Sequence, residues 1–135
     1  MYSIYIFFSI HLIMIKDFEY RYNTVDFKKR VEETKKIREK YHDRVPVIVS
    51  RAQNCTLNDI DKHKFLVPND LTIGQFVNVI RKRIKVSESM GIFIFVKNIL
   101  PPNSSLMSQI YNEFKEDDGF LYIIYNGESV FGLYT

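Results

Sequence analysis

Few side chains in this sequence could support chemistry on a substrate, and they are scattered. Cys55 is the single cysteine, and with His42 or His63 and an aspartate it would supply the residue types of a small cysteine hydrolase. No motif joins these residues, and Cys55 lies in a polar stretch typical of a surface loop. His11, His42 and His63 lack the spacing of metal ligands, and there is no GxGxxG or GK[ST] phosphate loop. We therefore predict no catalytic residue, no bound metal and no cofactor.

The charged residues form a second group of candidates. Glu113 with Glu116 and Asp117 with Asp118 are acidic pairs, but they fall at a predicted helix end and turn, where we expect solvated charge. The net charge is only +3, with Lys and Arg in excess in the middle of the chain and Asp and Glu in excess near its end. This asymmetry favours a charged recognition face rather than general nucleic-acid binding, which usually needs a broader basic excess.

The elements that position these residues are predicted to form one domain. A length of 135 residues suits a single core, and the content of 46% hydrophobic and 26% charged residues is ordinary for a globular chain. Asn23 or Thr24 could cap a first helix. Its apolar stripe would be Phe27, Val31, Thr34, Ile37 and Tyr41.

The rest of the pattern predicts four strands around a second helix. β-branched runs mark strands at residues 45–50 and 64–67, and Pro68 stops the second. Thr72 and Gln75 form a capping box that opens a helix. Its inward residues would be Ile73, Phe76, Val77, Ile80 and Ile84.

Residues 92–96 are apolar on both faces, which predicts a central strand. A short helix starting at Ser104 or Ser105 and a buried strand at residues 120–125 complete the chain. Two strands, a long crossing helix and two more strands describe an α+β fold with a β-grasp sheet, here with an additional N-terminal helix.

Residues 1–15 do not fit this pattern. They are nearly all apolar, shorter than the ~18–20 residues of a membrane-spanning helix, and lack the basic start and cleavage site of a signal peptide. Such a composition also results from translated AT-rich upstream DNA, and Met14 offers a second start. We interpret this extension as an over-extended gene model, with a real hydrophobic arm or a weak targeting signal as the alternatives.

Three segments together resemble a known family. They are KKIREKYHDRVPVIV (residues 35–49), DIDKHKFLVPNDLTIGQFVNVIRKRI (residues 59–84) and GFLYIIYNGESVFG (residues 119–132). They are similar to the autophagy ubiquitin-like modifiers, the family of GABA-receptor-associated protein and the microtubule-associated light-chain proteins. The resemblance covers about residues 24–132, with His42 standing where the family often has Pro. It implies a ubiquitin-like β-grasp fold over residues 16–132.

The resemblance assigns the functional terminus to Gly132. In the family, a processing cysteine protease would cut between Gly132 and Leu133 and remove residues 133–135. The glycine carboxylate would then pass through thioesters on activating and conjugating enzymes to phosphatidylethanolamine. A residue without a side chain leaves its carbonyl open to attack in narrow enzyme channels. The protein would be cytoplasmic, and bound to the autophagosome or another organelle membrane when lipidated.

The resemblance also implies a groove for cargo receptors that carry short aromatic-x-x-aliphatic motifs, which would add as a strand to the sheet edge at residues 62–66. By position, the aromatic pocket would use Glu33, Ile37, Pro46, Ile48, Lys64, Leu66 and Phe120. The aliphatic pocket would use Phe65, Val67, Pro68, Leu71, Phe76, Val79 and Ile80. Acidic residues flanking the motif would contact Arg44, Lys62, Lys64, Arg81 and Arg83. The alternative for most pocket residues is ordinary core, because alternation cannot separate core from groove.

Two functional hypotheses remain open at this point. The first is a lipid-conjugated modifier. The second is a non-conjugated adaptor or cytoskeleton-binding module that uses only the peptide groove and the basic N-terminal helix. Gly132 followed by a cleavable tail favours the modifier.

Overall fold

A computed structural model describes residues 26–53 and 55–128. The elements are α1 (Phe27–Lys40), β1 (Arg44–Arg51), β2 (Lys64–Pro68), α2 (Ile73–Ile84), β3 (Phe93–Phe95), α3 (Met107–Phe114) and β4 (Leu121–Asn126). The predicted order of helices and strands is confirmed. The predictions for the N-terminal extension, the Asn23 or Thr24 cap, Gly132 and the tail lie outside the described residues.

The four strands form one mixed sheet in the order β2-β1-β4-β3. β1 and β4 are parallel neighbours at its centre, and β2 and β3 add antiparallel on either side. This arrangement, crossed by α2, confirms the predicted ubiquitin-like β-grasp.

Within residues 26–53 and 55–128, β3 pairs with β4 alone and is an edge strand, so the prediction of a central strand at residues 92–96 is wrong. Its side chains are nonetheless largely buried on both faces. Apolar residues on both faces of a strand indicate that other elements pack above and below it. They do not indicate whether it has a hydrogen-bonded neighbour on one side or on both. A turn ends the strand, with positive φ at Lys97 (49°) and Asn98 (65°).

The core lies between α2, α3 and one face of the sheet. From β1 it takes Val45, Val47 and Val49, so Pro46 and Ile48 point to the other face. The predicted capping box of α2 is confirmed: the Gln75 backbone N–H donates to the Thr72 hydroxyl (3.1 Å), and the Thr72 N–H donates to Gln75 Oε1 (2.9 Å). The buried residues of α2 are Ile73, Phe76, Val79, Ile80 and Ile84. Val77, predicted to be inward, is half-buried.

α1 covers the opposite face of the sheet and is held mainly by polar contacts. Thr34 is its one fully buried residue, and Phe27, predicted as part of the apolar stripe, is 50% exposed. The Thr34 hydroxyl donates to the Asp118 carbonyl (2.7 Å), and the Arg38 guanidinium donates to the Arg44 carbonyl (2.5 Å). A helix with so little buried apolar surface depends on such contacts for its position.

Asp118 is the centre of these contacts, and the prediction that it is solvated charge is wrong. It is 3% exposed, and its Oδ2 accepts hydrogen bonds from Arg30 Nε (2.9 Å) and the Tyr122 hydroxyl (2.5 Å). Its Oδ1 accepts from the Phe120 N–H (2.9 Å). A carboxylate is stable in a buried site when it is paired and hydrogen-bonded in this way. We call this cluster of Asp118, Arg30, Thr34 and Tyr122 the α1 latch.

Candidate peptide-binding edge

The predicted docking edge corresponds to an outer strand of the sheet. Within the described part of the chain, β2 pairs with β1 alone, in a register that sets Leu66 opposite Pro46 and Lys64 opposite Ile48. An edge strand presents backbone N–H and C=O groups that another strand can pair with. β2 therefore has the geometry that strand addition requires.

The predicted aromatic-pocket residues come together on the α1 side of this edge. Leu66 and Lys64 share one face of β2, and their partners Pro46 and Ile48 share the same face of β1. Ile48, Leu66 and Phe120 are 3%, 1% and 0% exposed. From α1, Glu33 contacts Lys64, and Ile37, one turn further along the helix, is half-buried. The site is closed in this structure, so an entering aromatic ring requires these side chains to move.

An ion pair lies at the rim of the aromatic site. Lys64 Nζ is 2.5 Å from Glu33 Oε2, and the two side chains are 8% and 21% exposed. Because both groups are largely screened from water, their attraction is stronger than that of an ordinary surface pair. The pair also joins α1 to the edge strand.

The predicted aliphatic-pocket residues lie on the other face of β2, within the core. Phe65 and Phe76 meet edge to face, with ring centroids 5.7 Å apart. The hydrophobic members of this set on β2, α2 and their connection are at most 3% exposed: Phe65, Val67, Leu71, Phe76, Val79 and Ile80. Pro68 is also buried, at the end of β2. These residues are ordinary core in this structure, and they line the edge from the side opposite α1.

The predicted basic residues separate into different places. Lys62 and Lys64 lie at the start of β2, and Arg83 reaches the same end, 3.3 Å from Asp61 and over the Phe65 ring at 5.8 Å. Arg44 pairs in register with Pro68, so it lies at the far end of the strand.

Arg81 does not join the β2 edge. Its guanidinium donates to the carbonyls of Ser87 (2.9 Å) and Met90 (2.6 Å). It lines a cleft of about 530 Å³ between α2, β3 and residues 100–103, at the opposite edge of the sheet. Successive positions along a helix point in different directions, so Arg81 and Arg83 face different sides of α2.

Two residues at the site were not predicted from the sequence. Tyr122 lies opposite Ile48 and contacts Phe120, with ring centroids 6.3 Å apart. The alternation of residues 120–125 could have placed it on that face with Phe120. His63 is buried and its Nδ1 lies 2.8 Å from the Val49 carbonyl, which gives it a structural position beside the edge.

Cys55 is half-buried, and its Sγ accepts a hydrogen bond from the Leu57 N–H at 3.4 Å. Across residues 26–53 and 55–128, His, Cys, Asp and Glu form no group of three that could hold a metal ion. In the same ranges, no helix has both the length and the apolar character needed to cross a bilayer.

Comparison with known proteins decides the family. The family model for the autophagy protein Atg8, a ubiquitin-like family, matches residues 29–132. The chain belongs to the Atg8 family. Autophagy-related protein 8d of Arabidopsis thaliana is 60% identical over 106 residues, which cover 78% of this chain and 88% of the relative. Autophagy-related protein 8B of Oryza sativa subsp. japonica is 61% identical over 105 residues, with the same two coverages of 78% and 88%.

Solved Atg8 structures share this fold. The crystal structure of Trypanosoma brucei ATG8 has a TM-score of 0.75 and 40% identity, covering 81% of this chain and 94% of that one. Plasmodium falciparum Atg8, solved in complex with a P. falciparum Atg3 peptide, has a TM-score of 0.70 and 39% identity, covering 78% and 93%. As an Atg8 protein, this chain is a ubiquitin-like modifier of autophagy and not an enzyme.

Proposed function

We propose that this Atg8 protein is conjugated through Gly132 to phosphatidylethanolamine and then recruits cargo receptors that carry short aromatic-x-x-aliphatic motifs. Its partners would be a processing cysteine protease, activating and conjugating enzymes, and the membrane that receives the lipidated form. It would be cytoplasmic before conjugation and on the autophagosome or another organelle membrane afterwards.

One observation carries the peptide-binding part of the proposal. β2 is an outer strand with the aromatic-pocket residues on its α1 face and the aliphatic-pocket residues on its core face. Side chains of an added peptide strand alternate in the same way, so two of its residues could reach the two sites. The basic groups of Lys62, Lys64 and Arg83 at the start of β2 favour a peptide with acidic flanks.

Support for conjugation comes from the family match, which extends to residue 132. The glycine there would present an acyl carbonyl without a side chain beside it. The peptide of an Atg3 protein bound to the Plasmodium relative supports a conjugating enzyme as one partner of this chain. That peptide and a cargo-receptor motif would be alternative occupants of the protein.

A reconstituted reaction tests the conjugation. The chain ending at Gly132, the full chain and each with Gly132→Ala would be incubated with plant activating and conjugating enzymes, ATP and liposomes containing phosphatidylethanolamine. We expect the chain ending at Gly132 to float with the liposomes and gain the mass of one lipid. The full chain should do so only after protease is added. Both alanine variants should remain unconjugated, since the methyl group crowds each acyl transfer.

The same reaction separates the two functional hypotheses. Conjugation of the Gly132→Ala chain at the normal rate would refute the assignment of Gly132. If no form gains lipid while the full chain still binds motif peptides, the non-conjugated adaptor or cytoskeleton-binding module is the correct reading. Intact mass measured on protein from cells would then show whether residues 133–135 are retained.

A further inference from the structure

The ion pair between Glu33 and Lys64 occupies the place where an incoming peptide would bring its own negative charge. Lys64 lies on the edge strand and on the same face as Leu66, so its side chain runs beside the aromatic site. Its ammonium is 2.5 Å from Glu33 Oε2. The positive charge of Lys64, which would attract an acidic peptide, is therefore already paired with a carboxylate of the same chain.

Only one of the two carboxylate oxygens of Glu33, Oε2, is paired with a donor in the described part of the chain. Glu33 Oε1 is buried and has no hydrogen-bond partner in the part of the chain that the structure describes. A buried acceptor without a donor destabilises the arrangement that holds it. Glu33 also projects from α1, a helix held largely by polar contacts, and its side chain is 21% exposed. Turning this side chain out to water would hydrate both oxygens.

We propose that Glu33 is an internal competitor for acidic residues of the peptide. This inference rests on the proposed peptide site at β2. In the peptide-free protein the Glu33 carboxylate holds the Lys64 ammonium. When a motif with an acidic flank binds, a peptide carboxylate takes that ammonium and Glu33 turns to solvent. One ion pair replaces another, so the net gain from an acidic flank is smaller than the charge of Lys64 alone would give.

The exchange makes Glu33 a specificity-determining residue. A peptide with neutral flanks leaves the ion pair in place and gains nothing from Lys64. An acidic peptide gains the Lys64 ammonium only by displacing Glu33. Removing the Glu33 charge should therefore tighten the binding of acidic peptides more than that of neutral peptides.

Calorimetric titration with two peptides tests this. Both carry Phe-x-x-Leu, and one has three aspartates before the phenylalanine where the other has three serines. We expect Glu33→Gln to tighten binding of the aspartate peptide about fivefold relative to the serine peptide, which corresponds to ~1 kcal/mol. The serine peptide corrects for any effect of the substitution on the aromatic pocket itself. Glu32→Gln removes the same charge from an exposed neighbouring position and should change both affinities less than about twofold. Thermal melts would show that each variant is folded.

The decisive control removes Lys64. In a Lys64→Gln background, Glu33→Gln should bring no further gain, because there is no ammonium left to release. A gain that persists there would report simple repulsion by the carboxylate and overturn the competition. Equal or weaker binding of the aspartate peptide to Glu33→Gln would overturn it as well, while leaving the peptide site intact. Failure of both peptides to bind the unaltered protein would refute the site itself, and the competition with it.

Discussion

Replacing Gly119 with alanine should destabilise the α1 latch more than any other single methyl group added at a described glycine. Gly119 has a φ of +91°, and an added Cβ would lie 2.3 Å from Thr34 Oγ1 and 2.8 Å from Thr34 Cβ. The backbone conformation alone disfavours alanine by ~1–2 kcal/mol. Relieving the contact with Thr34 requires α1 to shift, which also strains the hydrogen bond from the Thr34 hydroxyl to the Asp118 carbonyl. We expect a total loss of about 3 kcal/mol.

Gly74 provides the matched control. It lies in the first turn of α2, and a Cβ there would meet Asn103 at 3.5 Å, an ordinary contact. Since alanine favours a helix over glycine, Gly74→Ala should be neutral or stabilising by up to ~1 kcal/mol. Chemical denaturation followed by circular dichroism measures both. Equal stabilities for the two variants would refute the steric argument.

A third variant separates backbone strain from the clash. In a Thr34→Ala background the closest atom, Oγ1, is removed while the Cβ at 2.8 Å remains, so Gly119→Ala should cost less than in the unaltered chain but still more than the ~1–2 kcal/mol of the positive φ. If the full loss remains in that background, the contact with Thr34 is not its cause. Because α1 covers the aromatic site, Gly119→Ala alone should also change the affinity for the peptide. This affinity can be measured on the same protein preparation.

Three further predictions concern the groove, the extension and pH. Leu66→Ala should weaken binding of an aromatic-x-x-aliphatic peptide with an acidic flank about thirtyfold, equivalent to ~2 kcal/mol, while Lys64→Ala weakens binding of the same peptide several-fold in a salt-dependent way. Calorimetry giving equal, small losses for the two folded variants would place the groove elsewhere. A chain starting at Met14 should keep the full chain's melting temperature and peptide affinity, and a large drop in melting temperature would show that residues 1–13 belong to the fold. Burial and the nearby Asp59 raise the pKa of Tyr125 above its ordinary value. The contribution of Tyr125 to stability should therefore be constant below about pH 10 and be lost above it, because the unfolded chain ionises first. Urea titrations of Tyr125→Phe, which lacks this ionisation, should show a smaller loss of stability at alkaline pH.

The sequence predicted the features whose cause is local. The capping box of α2 depends on two residues three positions apart, and the structure has both of its hydrogen bonds. The opposite orientations of Phe65 and Leu66 follow from the two-residue period of a strand. Phe65 accordingly joins the core, while Leu66 faces the α1 side.

Features that depend on distant partners were not predictable from pattern. Asp118 looked like solvated charge because its partner Arg30 lies 88 residues away. The apolar run at residues 92–96 could not reveal that β3 is an edge, since burial and strand pairing are separate properties. Spacing likewise could not place Arg81, because its direction depends on the exact phase of α2 around its axis. Only the family resemblance grouped the pocket residues, which chain order scatters from position 33 to 120.

The short length of β3 limits how copies of this protein can associate through the edges of their sheets. A sheet with two long open edges can polymerise, since each copy would offer a template at both ends. Here one edge is the five-residue β2, while the other is only three residues long and is cut off by the turn at Lys97 and Asn98. So short a strand offers few backbone hydrogen bonds to a neighbour. Many copies held side by side in two dimensions could therefore pair at most two at a time through β2, and this route would not extend them into a continuous sheet.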